Sequence, residues 1–372
     1  MPISKDLPSA RNNGRPARPA TIKDIAKELG VSYSTVSRAL QDSSQIGEST
    51  KEKVRAMAKT FNYKANALAR SLVLKQSEII GVIVPDIENP YYTSFCKQLT
   101  TFLEQNTEYK VVICDSDRKT EKEKDYIEYL QEHRVAGYIM VPSGINEEYF
   151  SGLIKSGTPL VLVDSDGSGI NVDSVMDDNY LGAKQAVQYL LDLGYRKITH
   201  IAGKKSSFAS NERLQGFIDC MGENGVPKED LSIISAGPTF NDGVAAAKIV
   251  LCMDSLPDAL FVVNDMVAIG VLRHFYEQGV RIPDEIALVG FDDISMASML
   301  PTPLTTVHQS TEALAAAAGT QLLDQIRQGL RAKSVNLRLS TKLVIRESCG
   351  ARLKNSKAQG SGLDQQPLRE CD

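Results

Sequence analysis

Four polar side chains spaced along one short helical pattern could read the edges of DNA bases. The outward face of this pattern carries Tyr33, Ser34, Ser37 and Arg38, and the inward face carries Val36, Ala39 and Leu40. A helix that enters the major groove needs short or flat polar side chains in its first turn, and an arginine can pair with guanine or phosphate. An ordinary small helical domain with a solvated polar face has the same pattern, so these residues alone leave both interpretations open.

A second set of polar residues follows apolar, strand-like runs in the rest of the chain. It comprises Asp86, Asp164, Asn264, Asp265, Asp292 and Asp293. The carboxyl ends of parallel strands meet at one edge of a sheet, and ligands of two-lobed α/β proteins bind in the crevice there. Aspartates at strand ends also cap helices, which is the stronger interpretation of Asp265 and Asp293.

Three short helices are predicted to position the first set. The predicted N-terminal caps are Thr21 with Asp24, then Ser32, and finally Ser49 with Glu52. A helix, a tight turn at Gly30 and a second helix with an exposed polar face form the helix-turn-helix pattern. A fourth short helical stretch, residues 66–72, has a poor apolar stripe and is expected to be marginal on its own.

From residue 78 onward, short β-rich runs alternate with amphipathic helices. Strands are predicted at 79–84, 110–114, 137–141, 160–163, 197–202, 232–235, 259–263 and 286–290. Helices are predicted at 93–104, 122–132, 180–193, 212–224, 243–253 and 267–277. This alternation predicts doubly wound parallel sheets with helices on both faces, and two sets of strands that separate near residue 170 predict two similar lobes.

The charge distribution favours nucleic acid as a partner of the first segment. The 372-residue chain has a net charge of −4, but residues 1–76 carry 14 basic and 6 acidic residues, and the remainder carries 28 basic and 40 acidic residues. A basic head on an acidic body suits a protein that brings one end to a polyanion. The six scattered cysteines have no CxxC spacing and suit a reducing cytosol. Signal-peptide and bilayer-spanning runs are missing, so a cytoplasmic protein without membrane association is expected.

Enzyme signatures are also missing. Residues 167–169 lack the third glycine of a phosphate-binding loop, and the chain has no Walker-type lysine, HExxH or nucleophile-elbow motif. The four histidines, His133, His200, His274 and His308, are isolated and are predicted to be structural. We therefore expect a binding protein rather than an enzyme, with no cofactor and no metal.

Together these motifs resemble the lactose-repressor (LacI/GalR) family. The resemblance is carried by residues 21–26 (TIKDIA), 30–40 (GVSYSTVSRAL), 62–63 (NY), 66–72 (NALARSL) and 81–85 (GVIVP), and it extends to about residue 347. It implies a helix-turn-helix domain joined to a two-lobed α/β domain of the periplasmic-binding-protein type, in a DNA-binding transcriptional regulator that is most often a repressor. The expected division is a disordered basic tail at 1–20, the helix-turn-helix at 21–65, a hinge helix and linker at 66–77, the effector-binding and dimerisation domain at 78–348 and a disordered tail at 349–372.

The resemblance also implies which residues contact DNA. Tyr33 and Ser34 would face bases in the major groove of a near-palindromic, double-stranded operator bound by a homodimer. The residues that would mainly position the domain on the DNA are Ser32, Ser37, Tyr63 and Asn66. Arg38, as a partner of guanine or phosphate, and Ala69 are further expected DNA contacts. Leu72, at the end of the hinge helix, would enter the minor groove beside its dimer mate. Lactose repressor itself has glutamine in place of Ser34, so the operator is expected to differ.

For the effector cleft, the resemblance implies contacts from Tyr91, Tyr92, Asp164, Arg213, Phe240, Asn264, Asp292 and Gln309. The two tyrosines follow Asn89 and Pro90, where relatives carry the same asparagine–proline–aromatic–aromatic run, and their rings could stack on a sugar or a base. Arg213 opens an Arg-x-x-Gly-Phe run, and its planar fork suits paired hydroxyls or a carboxylate. The expected effector is a carbohydrate, either a sugar or a sugar phosphate, and the alternative is a purine or nucleoside that acts as a corepressor.

Overall fold

The computed structural model describes residues 20–40, 42–61, 63, 77–144 and 147–351, without the side chains of 147–149 and 151. The chain divides into two compact units, Met1–Ser77 and Glu78–Asp372. None of the helices in the described ranges is both long enough and apolar enough to cross a membrane.

The first unit is a three-helix cluster formed by α1 (Ile22–Leu29), α2 (Tyr33–Leu40) and α3 (Glu48–Thr60). Ile25, Val36 and Val54, one from each helix, are fully buried at its centre. The predicted capping box of α1 is confirmed, because Thr21 donates to Asp24 Oδ2 from its backbone N–H at 2.8 Å and from its hydroxyl at 2.7 Å. The apolar stripes predicted for the three helices therefore form one common core.

The predicted start of α3 is wrong. The helix begins at Glu48 after an extended Gly47, so Ser49 lies inside the first turn rather than at the cap. Ion pairs fix this end of the helix instead: Lys51 Nζ lies 3.0 Å from Asp42 and 3.3 Å from Glu48, and Arg55 lies 2.7 Å from Asp42. The loop before α3 is thus held by charges that sequence spacing did not reveal.

The second unit alternates strands and helices. In chain order its larger elements are β1 (Ile79–Val84), α4 (Pro90–Asn106), β2 (Lys110–Asp115), α5 (Thr120–Glu132), β3 (Gly137–Met140), α6 (Glu147–Lys155), β4 (Leu160–Val163), β5 (Asp173–Asp177), α7 (Asn179–Asp192), β6 (Ile198–Ala202), α8 (Phe208–Glu223), β7 (Ser232–Ser235), α9 (Phe240–Leu251), β8 (Ala259–Val262), α10 (Asp265–Glu277), β9 (Ala287–Asp292), β10 (Thr305–His308), α11 (Thr311–Gln328), β11 (Asn336–Leu339) and β12 (Lys342–Val344).

Two six-stranded sheets form the two lobes that the sequence predicts. The order in lobe 1 is β11-β5-β4-β3-β1-β2, and in lobe 2 it is β12-β10-β9-β8-β6-β7. All neighbouring pairs are parallel except β10 with β12. The helix α11 packs on α4 and on the strands β3 to β5, so it belongs to lobe 1.

The lobes do not separate at a single point near residue 170, as the sequence suggested. The chain crosses from lobe 1 to lobe 2 after Asp177, returns after His308, and crosses again after Leu339. At the end of the described chain, Cys349 and Ala351 are buried in the core of lobe 2, three residues beyond the expected domain end at 348. The three crossovers place the residues around 178, 309 and 340 between the lobes.

Lobe 2 is packed through close helix contacts and a buried imidazole. A Cβ atom added at Gly270 of α10 would collide with the backbone carbonyl of Phe240, and one added at Gly243 of α9 would collide with that of Val267. His200 stacks between Phe217 and Phe261 with centroid separations of 5.2 and 4.8 Å, and burial lowers its pKa to about 4. This histidine is structural, as predicted.

Candidate functional site

The first half of α2 presents the predicted base-reading residues to the surface. Tyr33 has 65% of its surface exposed, and Ser34 and Arg38 are exposed, whereas Ser37 is half-buried. Ser32 caps the helix, because its Oγ accepts from the backbone N–H of Thr35 at 3.0 Å. A capped, exposed helix start with one cation suits a phosphate backbone and the adjacent base edges.

Part of the predicted DNA-contacting set lies outside α2. Tyr63 is half-buried and packs against the core of the three-helix cluster. Asn66, Ala69 and Leu72 lie outside the described residues. Their roles as hinge and wedge stay predictions.

In the second unit, a cavity of about 140 Å³ opens at the carboxyl ends of strands from both lobes. Six of the eight predicted effector contacts line it: Tyr91, Tyr92, Asp164, Arg213, Asn264 and Asp292. Gln309 lies behind this lining, where its Nε2 donates to Asp292 Oδ1 at 2.8 Å. We refer to this cavity as the effector cleft.

Phe240 does not line the effector cleft, which corrects the sequence-based assignment. It is the first residue of α9, and its ring borders a separate apolar groove beside Ile269 and Leu272 of α10. Because the capping box of Thr239 and Asp242 sets the start of α9, the side chain of the next residue turns away from the cleft. An aromatic residue near a strand end was therefore insufficient evidence for stacking on a ligand.

The start of α4 orients the two tyrosines. Asn89 caps the helix by accepting from the backbone N–H of Tyr91 at 3.0 Å, and Pro90 occupies the first helical position. Tyr91 and Tyr92 meet edge to face, with centroids 5.2 Å apart, and the Tyr91 hydroxyl donates to Asp164 Oδ2 at 3.0 Å. Burial raises the pKa of both phenols, so both stay neutral donors.

Arg213, from α8, joins several elements at the floor of the cleft. Its Nε donates to Asn179 Oδ1 at 2.8 Å, and its Nη1 donates to the carbonyl of Val263 at 2.6 Å and to Asp292 Oδ1 at 3.3 Å. The guanidinium also lies 3.8 Å from the ring centroid of Phe291. Such a buried, multiply bonded arginine is held in one orientation and can present its remaining N–H groups to a ligand.

The carboxyl groups of the floor lie in an environment that disfavours their charge. Burial raises the pKa of Asp292 to about 7 against the opposing effect of Arg213, and burial also raises the pKa of Asp164. Both residues have positive φ angles, 116° and 52°, a backbone region that non-glycine residues seldom adopt. Strained backbone of this kind is concentrated at functional sites.

Three neighbouring polar residues form hydrogen bonds that hold the surrounding elements in place. Asn264 caps α10 by accepting from the N–H of Val267, and its Nδ2 donates to the carbonyl of Pro238. Asp265 accepts from Ile294 N–H and the Thr306 hydroxyl. Asp293 accepts from His308 and Arg346. The predicted helix-capping role of Asp265 and Asp293 was therefore wrong, because both carboxyl groups bind neighbouring loops and strands instead.

Sequence reasoning missed several residues at this site. Arg118 lines the cleft, and its Nη2 donates to Asp86 Oδ2 at 3.0 Å. Asp177 and Asn179 lie at the first crossover, where Asn179 connects the Asp177 carbonyl to Arg213. Predicting a strand at 173–177 would have identified residues 177–179 as polar residues at a strand end. The strand was not predicted because it begins and ends with aspartate.

Comparison with known proteins identifies the architecture. The pattern of the bacterial regulatory proteins, lacI family, matches residues 21–66, and that of the periplasmic binding protein-like domain matches residues 187–349. The HTH-type transcriptional repressor PurR of Photobacterium profundum is 31% identical over 330 residues, which cover 88% of this chain and 98% of that protein. The chain belongs to the lacI family of bacterial regulatory proteins.

Solved structures agree with this assignment. The Lac repressor dimer bound to operator and the anti-inducer ONPF has a TM-score of 0.80 and 28% identity over 89% of this chain and 99% of that one. A LacI family transcriptional regulator from Enterococcus faecium with bound ribose has a TM-score of 0.65 and 26% identity over 73% of this chain and 98% of that one. This lacI-family protein is a DNA-binding transcriptional repressor and not an enzyme, as the sequence predicted.

Proposed function

We propose that this repressor binds a near-palindromic operator as a homodimer, and that a small effector in the cleft controls this binding. The observation that carries the proposal is the effector cleft itself, whose floor combines Arg213 and Asp292 of lobe 2 with Asp164 of lobe 1. A ligand held by both lobes has a different affinity for their open and closed arrangements, which is the requirement for controlling a distant site. Because operator DNA is the partner, the bacterial cytoplasm is the expected location.

An apolar groove supports the homodimer. It has a volume of about 700 Å³ and lies along α10, where Ile269, Leu272, Val280 and Leu300 line it and Tyr276 is 78% exposed. Contiguous exposed apolar surface on a soluble protein suits a protein partner. A second copy of this chain is the proposed occupant, since the Lac repressor that matches nearly the whole chain is a dimer.

The proposed effector is a purine base. The cleft volume of about 140 Å³ is close to the roughly 150 Å³ of an engineered cavity that accepts benzene, so it suits one small ring system better than a disaccharide. Tyr92 offers a ring face, the carboxyl oxygens of Asp164 and Asp292 accept from ring N–H groups, and Arg213 can donate to a ring carbonyl. The PurR relatives favour this alternative over the carbohydrate expected first.

A monosaccharide is the second candidate. The regulator from Enterococcus faecium holds ribose, and the same carboxyl oxygens can accept from sugar hydroxyls. The Tyr92 ring could pack on a sugar face as well as on a base. The two candidates differ in how much binding each loses when the aromatic ring is removed.

The first test is selection of fragments of the source genome by the purified protein, followed by operator titrations with hypoxanthine, guanine, adenine and ribose. We expect a near-palindromic site whose affinity changes with a purine and not with ribose. Tyr92→Ala should abolish the purine response and keep effector-free operator binding, whereas the matched control Tyr92→Phe should keep both. A response to ribose alone would select the sugar candidate, and failure to enrich any site with all four compounds present would refute the proposal.

The dimer is tested by sedimentation equilibrium. A dimer mass is expected for the wild-type chain, and Leu272→Asp in the α10 groove should shift it toward monomer because a charge would be buried at the interface. Arg281→Asp, at the polar rim of the same groove, is the matched control and should remain dimeric. A tetramer, or a dimer unaffected by Leu272→Asp, would contradict this arrangement.

A further inference from the structure

Asp177 occupies the first crossover between the lobes. It ends β5 in lobe 1, two residues before α7 begins lobe 2, and it pairs across the sheet with Leu339, which ends β11 at the third crossover. A rotation of the lobes must therefore change backbone torsion angles close to Asp177 and to its strand neighbour Leu339.

The Asp177 side chain is fully buried, and neither of its carboxyl oxygens has a hydrogen-bond partner within 3.5 Å among the described residues. The hydroxyl of Tyr91 is close enough to lower the pKa of Asp177, but it donates to Asp164. Its backbone is well fixed, because the Asp177 carbonyl accepts from Asn179 Nδ2 at 3.1 Å, and the next N–H, that of Asp178, donates to the Leu339 carbonyl at 2.8 Å. A buried carboxylate without partners is strongly disfavoured, so such a group takes up a proton.

The ionisable groups around Asp177 come from both lobes. Lobe 1 contributes Asp164 from the end of β4 and the Tyr91 phenol from α4, and lobe 2 contributes Asp292 from the end of β9 and Arg213 from α8. The Glu212–Arg338 ion pair, with 2.7 Å between its atoms, lies on the adjoining α8 and β11. Arg213 is already bonded to Asp292, Asn179 and Val263, so within the described structure three carboxyl groups share one guanidinium.

Gln309 marks the second crossover in a similar way. Its Nε2 donates to Asp292, but its Oε1 is buried and has no partner among the described residues. Two of the three segments that connect the lobes thus carry unpaired, buried acceptor oxygens. A proton on one of the carboxyl groups of Asp164, Asp177 and Asp292 supplies a hydrogen-bond donor beside these unpaired acceptor oxygens.

We propose that Asp177 holds a proton when the lobes are closed and releases it when they rotate apart, so that the proton acts with the effector in controlling the repressor. This deepens the proposed function and rests on it for the link to the operator. Opening moves the carboxyl and guanidinium groups of lobe 2 away from Asp177 and admits water, so the pKa of Asp177 returns toward that of an ordinary carboxyl group.

The direction of the pH effect follows from the pKa. Burial, followed by the charge of Asp164, raises the pKa of Asp177 to about 8 from the ordinary 3.8. A raised pKa in the closed form means that closure is favoured at low pH and progressively lost as the pH rises from about 4 through about 8. Between these two pKa values, each unit of pH changes the closing equilibrium by up to about tenfold.

The proton itself is tested without any ligand. Aspartate ¹³Cγ signals of the full-length protein, labelled at aspartate, would be titrated from pH 4 to pH 9. We expect at least one signal with a midpoint above pH 6.5 that disappears in Asp177→Asn and remains in Asp125→Asn, an exposed aspartate of α5. Titration of every wild-type aspartate below pH 5 would overturn the proposal even if the Asp177→Asn variant failed to fold.

The coupling is tested on the operator obtained from fragment selection. Operator affinity of the wild type and of Asp125→Asn should change several-fold between pH 6.5 and pH 8.5, and Asp177→Asn should lose most of that change. The three-helix unit contains no histidine, and all four histidines and Asp292, whose pKa is about 7, are present in all three proteins. The difference between Asp177→Asn and Asp125→Asn therefore reports the contribution of Asp177. An unaltered pH dependence in Asp177→Asn would refute the coupling, whereas failure to find an operator would refute the proposed function and leave the titration standing.

Discussion

The ion pair of Arg213 with Asp292 allows a quantitative prediction. Its two side chains are only 7% and 5% exposed, and their atoms lie 3.3 Å apart. Arg213→Met keeps apolar volume beside Phe291 but leaves Asp292 without its cation. Removing one partner of a buried ion pair typically costs about 3–5 kcal/mol. Asp292, with a pKa of about 7, limits this cost by taking up a proton, so the free energy of unfolding at pH 7.5 should fall by no more than about that amount.

The reverse change should cost less. In Asp292→Asn the guanidinium still has Asn179 Oδ1 and the Val263 carbonyl as acceptors, so we expect a loss of about 1–3 kcal/mol. The double variant Arg213→Met/Asp292→Asn carries no uncompensated charge. Its loss should be smaller than the sum of the single losses by about 2 kcal/mol, within the range measured for coupled pairs.

The loss in Arg213→Met should also depend on pH. Arg213 lowers the pKa of Asp292, which burial already raises to about 7, so removing the arginine raises that pKa further. A raised folded-state pKa means that stability is lost as the pH increases toward it. Arg213→Met should therefore be closer to the wild type at pH 5.5 than at pH 8.

The assay is urea unfolding followed by circular dichroism at one fixed protein concentration, because the chain has no tryptophan and a dimer's stability depends on concentration. Lys184→Met is the control, since Lys184 forms a solvent-accessible ion pair with Glu223 at 2.7 Å and its loss should change the free energy of unfolding little. Single losses that add within about 0.5 kcal/mol, or a loss that is independent of pH, would refute the argument that Arg213 holds a buried charge.

Three further predictions concern other parts of the molecule. Arg38→Ala should abolish specific operator binding while leaving the unfolding free energy nearly unchanged, because the side chain is exposed; a fluorescence-anisotropy titration that shows unchanged affinity would remove Arg38 from the interface. Gly270→Ala should destabilise the protein by about 1–3 kcal/mol, because the added methyl collides with the first carbonyl of α9. Its control Gly222→Ala has open space around the added methyl and should be neutral or stabilising. Equal urea midpoints for the two variants would contradict the close packing of α9 and α10. The Tyr91 hydroxyl donates to Asp164 Oδ2 and thereby lowers the pKa of Asp164, so Tyr91→Phe raises that pKa. The variant should be destabilised by about 1–3 kcal/mol, and by more at pH 8 than at pH 6. A difference in unfolding free energy that does not depend on pH would argue against this hydrogen bond.

The three-helix unit was largely predictable because its signals are local. The Thr21 cap, the Gly30 turn with a φ angle of 64° and the apolar stripes each depend on residues within one or two turns. The start of α3 was the exception, since the charges of Asp42, Lys51 and Arg55 outweighed the Ser49 signal. Propensity is a weak guide where ion pairs between segments fix a helix end.

The strands that prediction missed have polar sequences or few residues. The strand β5 begins and ends with buried aspartates, and β11 and β12 are short edge strands with exposed or half-buried residues. Such segments lack the apolar run or the alternation that marks a strand, and they become strands because a neighbouring strand supplies the hydrogen bonds. The threefold crossing of the chain between the lobes was hidden for the same reason.

The sequence alone determined the order of the two units, the alternation of strands and helices and the family resemblance, because these depend on residue type and short spacing. The tertiary structure decided which polar residues act together. Arg213 meets Asn179, Val263 and Asp292 across 34 to 79 residues of chain, and Asp177 becomes a proton-binding candidate through burial at a crossover. Desolvation and charge sharing depend on three-dimensional neighbours, so no local pattern could have predicted them.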